Sequence, residues 1–99
     1  MRQIPLRAMP AQTCSVLLGG QNCQVSVYQK STGLFLDLMV NHQPLAMAVL
    51  CHDRVRLIRE AYSGFVGDLA FVDAKGREDP FYTGLGGRFQ LMYLEASDL

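Results

Sequence analysis

The feature that most constrains the fold is an alternation of apolar and polar residues with a period of two. In the stretch NCQVSVYQ, the apolar residues Cys23, Val25 and Val27 occupy every second position. Successive side chains of a β-strand point to opposite faces, so this pattern predicts a strand with one buried face. The stretch LFLDLMV repeats the pattern and places a second apolar set on one face: Leu34, Leu36, Leu38 and Val40.

Five further segments have the composition of strands, at residues 3–7, 12–18, 45–51, 69–73 and 88–94. Turn-forming residues separate the strands, and they are Gly19-Gly20, Ser31-Thr32-Gly33, Asn41-His42, Ala74-Lys75-Gly76 and the glycine loop at 83–87. About seven short strands with turns this close predict an all-β fold, a single small antiparallel β-sandwich or barrel. Residues 54–62 are the one helical candidate, as a single turn or as a further strand.

The length of the chain predicts one domain over residues 1–99, because so short a chain can build only one core. Apolar residues make up 49% of the chain and charged residues 18%, against a usual charged share of roughly 25%. We therefore expect part of the surface to be covered by copies of the chain or by a partner. Phe35 and Met39 lie on the face of their strand opposite the buried leucines, so that face is a candidate contact.

The charge balance disfavours polyanionic partners. Nine basic and nine acidic residues cancel, so no overall positive field attracts nucleic acid or anionic lipid. No window approaches the roughly 20 apolar residues of a membrane span, and MRQIPLRAMP at the start does not resemble a signal-peptide core. We expect synthesis in a cytoplasm and no membrane contact.

The three cysteines, Cys14, Cys23 and Cys51, are an odd set, so at least one is free or pairs between chains. If Gly19-Gly20 form a two-residue hairpin turn, Leu18 pairs with Gln21 and Cys14 faces Val25 rather than Cys23. Buried, reduced thiols are the favoured interpretation. A disulfide and metal ligation remain as alternatives.

The stretch DPFYTGLGGRF invites a phosphate-loop interpretation. Gly84 and Gly86 fit the start of G-x-G-x-x-G, but Phe89 occupies the place of the third glycine. The following RFQLMYL alternates as a strand, so the helix whose amino terminus would hold a phosphate is missing. The loop is predicted to be a tight connection with positive φ rather than a ligand site.

Cys51-His52-Asp53 contains the residue types of a nucleophilic triad in a row. Neighbouring residues on a strand diverge, so we expect no catalysis here. A zinc site with Cys51 and His42 would lack any C-x-x-C pair, and His42 is predicted to be a surface residue in a turn.

The acidic residues Asp73, Glu78 and Asp79 raise the question of calcium, but Lys75 and Arg77 interrupt the spacing of an EF-hand loop. Asp79 is instead predicted to open a turn at Pro80, with its carboxylate accepting N–H groups one or two residues on.

The basic cluster of the chain is HDRVRLIRE, with Arg54, Arg56 and Arg59. Arg54 and Arg56 would share one face of a strand, and Asp53 and Glu60 would partly neutralise them. A solvated or interface face is favoured over an RNA groove.

The run at 64–94 resembles the small baseplate plug proteins of contractile-tailed bacteriophages, a family typified by a cyanophage. A V-D-x-x-G turn is followed by D-P-x-Y, a glycine loop and a final strand, carried by Val72, Asp73, Gly76, Asp79, Pro80, Tyr82, Gly84, Leu85, Gly86, Phe89, Leu91, Tyr93 and Leu94. The opening resembles the start of the family at Ile4-Pro5-Leu6, Pro10, Gln12 and Gly20-Gln21. In the middle of the chain, the similarity is mainly at Pro44-Leu45 and Cys51.

This resemblance implies a non-enzymatic structural subunit of the tail baseplate, located in the virion near the tail axis. Hub or tail tube proteins and further copies of the chain are the implied partners. No catalytic, cofactor-binding or metal-binding residue follows from it, and no cofactor is expected. The alternative function is a small β-barrel that binds single-stranded nucleic acid, which would need a basic face with exposed aromatic residues.

Overall fold

The computed structural model describes residues 2–59 and 65–98, which form seven strands and two short 3-10 helices. All seven predicted strands are confirmed. They are β1 (Arg2–Ile4), β2 (Ala11–Leu18), β3 (Gln21–Lys30), β4 (Gly33–Val40), β5 (Gln43–Leu50), β6 (Asp68–Asp73) and β7 (Phe89–Leu94). The 3-10 helices span Tyr82–Gly84 and Ala96–Asp98.

The strands form two antiparallel sheets, in the order β2-β3-β4-β5 and β1-β7-β6. The first sheet is a meander joined by two-residue turns. Gly19 and Gly20 have φ of 56° and 77°, which suits a type I′ hairpin turn, and Leu18 pairs with Gln21 as predicted. The turn at Asn41 and His42 also has positive φ at both residues.

One hydrophobic core lies between the two sheets. In β3 and β4, every second residue is buried, so the two-residue period predicted the inner face correctly. Side chains from both sheets contribute, and the largest that are fully buried include Leu18, Leu36, Leu38, Phe71 and Leu91. The fold class predicted from the sequence is therefore confirmed.

β1 ends earlier than predicted and β5 is irregular, each for an identifiable reason. β1 ends at Ile4 rather than at residue 7, because Pro5 has no N–H to continue a ladder. The register of β5 shifts opposite Leu38, and Ala48 within it has a φ of 54°. The Asp37 carboxylate accepts the N–H of Ala48 at 2.6 Å, which stabilises this bulge.

Residues 51–59, here called the strap, cross from β5 to the outer edge of β6. The prediction of a helix or strand at 54–62 is wrong for 54–59, and residues 60–62 lie outside the described residues. Arg54 and Arg59 have φ of 59° and 65°, which neither regular structure tolerates. The N–H groups of Arg54 and Leu57 donate to carbonyls of β6 at 2.7 and 2.8 Å, so the strap covers that edge.

Candidate interaction surface

The glycine loop joins the 3-10 helix Tyr82–Gly84 to β7, with no α-helix after it. Gly86 has a φ of 83° and its N–H donates to the carbonyl of Phe89 at 3.0 Å. A Cβ on Gly86 would collide with the carbonyl of Leu6, so the loop packs against the chain before β2. The predicted positive-φ connection is confirmed at Gly86, and the geometry is that of a turn.

The side chains of Cys51 and His52 diverge, as predicted for neighbouring residues. Cys51 is buried, and its Sγ lies 3.6 Å from the carbonyl oxygen of Val49. His52 is exposed, and its Nδ1 lies 3.0 Å from the carboxylate of Asp79. Burial raises the pKa of the Cys51 thiol to about 12, which disfavours the thiolate that nucleophilic catalysis needs.

The prediction that the Asp79 carboxylate accepts N–H groups one or two residues on is wrong. Its carboxylate accepts the N–H of Asp53 at 3.0 Å and contacts His52, both in the strap. These contacts lower the pKa of Asp79, with the N–H of Asp53 as the larger cause. Because the partners lie 26 and 27 positions away, no local spacing rule indicates them.

Asp73 is the residue that organises the turn after β6. Its buried carboxylate accepts the N–H groups of Lys75 and Glu78, both at 2.9 Å. The Arg88 guanidinium donates to both of its oxygens, at 2.9 and 2.8 Å. Within residues 2–59 and 65–98, no three His, Cys, Asp or Glu side chains are grouped as metal ligands would be.

The arginines of the strap do not form the strand face predicted for them. The Arg54 guanidinium bonds to Asp53 at 2.6 Å and to the carbonyl of Gly76 at 3.0 Å. The Nε of Arg59 donates to the carbonyl of Arg56 at 2.7 Å. Arg54 and Arg59 therefore tie the strap to the β6 turn and to itself, although all three arginines are exposed.

The cysteines are free, and Cys14 lies opposite Val25 as predicted. Cys23 and Cys51 are buried, in agreement with the favoured interpretation, while Cys14 is half-buried. Burial raises the pKa of all three thiols.

The outer face of the four-stranded sheet carries an aromatic pair. The rings of Tyr28 and Phe35 stack with centroids 6.0 Å apart, and the Lys30 ammonium lies 5.5 Å from one and 5.8 Å from the other. The Tyr28 hydroxyl donates to Asp37 at 2.9 Å. Phe35 and Met39 are half-buried on this face, opposite the buried leucines of β4, as predicted.

Several large apolar side chains lie on the surface. The most exposed are Leu17 at 58%, Met47 at 55%, Phe81 at 47%, Val66 at 46% and Met9 at 45%. They are spread over several loops and edges rather than concentrated in a pocket. In the part of the chain that the structure describes, no helix has the length and apolarity to span a membrane.

The chain matches the model of a known protein family. The family model described as cyanophage baseplate Pam3 plug gp18 matches residues 1–96 of the chain. The chain belongs to this family of baseplate plug proteins. A search of curated proteins found no match.

Membership of the baseplate plug family gives the chain a structural role in the phage tail baseplate, in association with other proteins of the virion. The residues that carried the sequence resemblance now have a physical role. Asp73 and Gly86 fix turns, and Phe89, Leu91 and Tyr93 form the buried face of β7. In this chain, the residues on which the resemblance rested therefore help to determine the fold.

What sequence reasoning missed is the pattern of open and closed sheet edges. The strap covers β6, and Asp68 holds it there by accepting the N–H groups of Ile58 and Arg59, both at 2.9 Å. The signal available in the sequence was the absence of proline and charge from β2, AQTCSVLL. The lack of proline and charge indicates an unprotected edge only when β2 is known to be an edge strand.

Proposed function

We propose that this chain is a non-catalytic subunit near the tail axis that contacts hub or tail tube proteins. The observation that carries the proposal is the match of the baseplate plug family to residues 1–96. The exposed apolar side chains support it, because Leu17 and Met47 are each more than half exposed and gain from being covered. Several copies around the axis would fit the same account.

The test is to measure the mass of the purified chain by light scattering across a dilution series, alone and with purified hub or tail tube protein of the same phage. We expect a mass that includes the second protein, at a defined stoichiometry. A monomer at every concentration that binds neither protein would contradict the proposal.

The nucleic-acid alternative predicts a different result. If it were right, the chain would slow the migration of single-stranded DNA in a native gel, and this binding would weaken as the salt concentration rises. The zero net charge disfavours it, and the aromatic pair on β3 and β4 is flanked by one lysine and by Asp37. We therefore expect no retardation at physiological salt.

A further inference from the structure

The geometry points to the edge of β2, which no strand of the described residues covers, as the docking site for an extended segment of another baseplate protein, which adds to the four-stranded sheet as a fifth strand. This inference rests on the proposed function and names the edge and the partner chemistry for it. Strand addition of this kind uses main-chain hydrogen bonds for affinity and alternate side chains for specificity.

The hydrogen-bonding pattern of β2 shows which groups are free. The carbonyl of Pro10 accepts the N–H of Gln29 at 2.8 Å, so this pair bonds across to β3. Antiparallel pairs alternate between bonded and non-bonded, so every second residue of β2 directs its N–H and C=O away from β3. These residues are Ala11, Thr13, Ser15 and Leu17.

Among these four residues, the Leu17 carbonyl accepts the Arg2 guanidinium at 3.2 Å. No described residue bonds the outward N–H and C=O groups of Ala11, Thr13 and Ser15. Three consecutive donor and acceptor pairs at two-residue spacing match the backbone of an extended strand.

The other edges are each protected in a way that β2 is not. The strap covers β6, β5 contains Pro44 and the bulge at Ala48, and β1 is only three residues long. Natural proteins blunt exposed edges by such means. β2 has eight residues with no proline, no charge and regular pairing to β3 throughout.

The surroundings of β2 define the chemistry of the partner. A concavity of about 450 Å³ lies beside the first half of β2, with Pro5, Arg7 and Met9 as its wall. A second concavity, of about 270 Å³, lies over the other half of β2 and the adjoining part of β3, with Leu17, Asn22 and His42 in its lining. Half-buried Cys14 and Val16 lie on the inner face of the strand, and exposed Thr13 and Ser15 lie on the outer. The partner segment therefore alternates apolar and small polar residues.

The wall beside the first half of the edge favours a single strand over a second copy of this chain. A second copy that paired through its own β2 would also bring its own residues 5–9 to the edge, whereas an extended segment brings a single strand. The baseplate plug family supplies proteins of the virion as partners.

The deciding variants are S15P and S15A, each tested for binding to the hub or tail tube protein that the wild-type chain binds. Proline removes the outward N–H of Ser15 at a position where an edge strand tolerates it, while alanine keeps that N–H. We expect the Kd to rise about tenfold or more for S15P and to stay near wild type for S15A. Circular dichroism and thermal melting check that both variants fold.

Hydrogen exchange on the wild-type chain gives a second test that needs no variant. In the free chain, the amides of Ala11, Thr13 and Ser15 should exchange fast while those of Gln12 and Cys14 are protected. In the complex, the three fast amides should become protected as well. Docking through a side-chain face would not produce this alternation.

Unchanged binding by a folded S15P, or fast exchange at the three amides in the complex, would overturn the edge proposal and leave the proposed function intact. Protection that appears in the isolated chain at high concentration would overturn it in favour of a second copy. A wild-type chain that binds neither protein defeats the proposed function, and the edge proposal fails with it.

Discussion

The Arg88 guanidinium donates two hydrogen bonds to the carboxylate of Asp73, at 2.9 and 2.8 Å, and joins the start of β7 to the end of β6. Asp73 is 1% exposed, so this bidentate pair is shielded from water on the carboxylate side. Glu78 also reaches Arg88, at 3.2 Å, but its side chain is 73% exposed. The buried carboxylate of Asp73 and the exposed carboxylate of Glu78 therefore contribute unequally to the free energy of unfolding.

The first prediction compares these two carboxylates. The variant D73N should lower the Tm by several degrees, because it removes the charge that Arg88 and two backbone N–H groups bind. The variant E78Q should change the Tm little, since an exposed ion pair contributes at most about 1 kcal/mol. Equal losses for both variants in thermal melts would contradict the account.

The second prediction is the pH dependence of this contact. The hydrogen bonds from Arg88 lower the pKa of the Asp73 carboxyl well below its usual range, with the N–H groups of Glu78 and Lys75 adding to the effect and burial opposing it. Because the pKa of Asp73 is lower in the folded chain than in the unfolded chain, its ionised carboxylate stabilises the fold fully above the unfolded pKa of about 3.9. This stabilisation is lost as the pH falls from there through the pKa of the folded chain.

Urea unfolding at a series of pH values measures this effect. The difference in free energy of unfolding between wild type and D73N should be constant from about pH 5 to pH 7 and should shrink below about pH 4. A difference that stays constant down to the acid limit of folding would show that the Asp73 charge does not act as described.

The third prediction concerns two adjacent glycines. The variant G86V should cost more than about 1 kcal/mol, because Gly86 has a φ of 83° and its added Cβ meets the carbonyl of Leu6. Gly87 is the matched control, since a Cβ there meets nothing closer than the Gly84 carbonyl oxygen at 4.0 Å. We expect G87V to cost clearly less, and equal costs in urea titrations would remove the tight-turn account.

The fourth prediction concerns the thiols. Alkylation of the native protein should modify Cys14 before Cys23 and Cys51, because only Cys14 is half-buried. Mass spectrometry should find no internal disulfide, and a chelator should leave the Tm unchanged. A chelator-induced drop of several degrees would revive the metal alternative, and fast modification of Cys51 would contradict its burial.

The fifth prediction tests the strap. Asp68 is buried and accepts the N–H groups of Ile58, Arg59 and Leu69, so D68A leaves one buried and two part-buried donors without this acceptor. We expect a loss of about 1–3 kcal/mol in the free energy of unfolding. Hydrogen exchange should also accelerate at Leu57, whose N–H bonds to β6. An unchanged exchange rate there would mean that Asp68 does not hold the strap.

The sequence predicted the parts of the fold that depend on neighbouring residues. The alternation at Val25 and Leu36 gave the inner face, and Gly19-Gly20 gave the first hairpin and its register. These features follow from local sterics and from burial with a period of two. The family resemblance rested on turn and strand residues of the same kind. This explains why the fold and the family were predicted together.

The features that escaped prediction depend on contacts between distant parts of the chain. Asp79 acts on the strap 26 residues before it, and Ala48 adopts a positive φ beside Asp37 on the next strand. The free edge of β2 is defined by which strands neighbour it, and hydrophobic periodicity carries no information on strand order. The interaction surface could therefore be inferred only from the folded chain.

Electron cryomicroscopy of the assembled phage tail, at a resolution that traces β-strands, would show directly where this chain lies in the virion. We expect density for the two sheets of this chain in the baseplate near the tail axis, in contact with hub or tube protein. A well-resolved baseplate whose density is fully explained by other proteins, with this domain absent or located away from hub and tube, would contradict it.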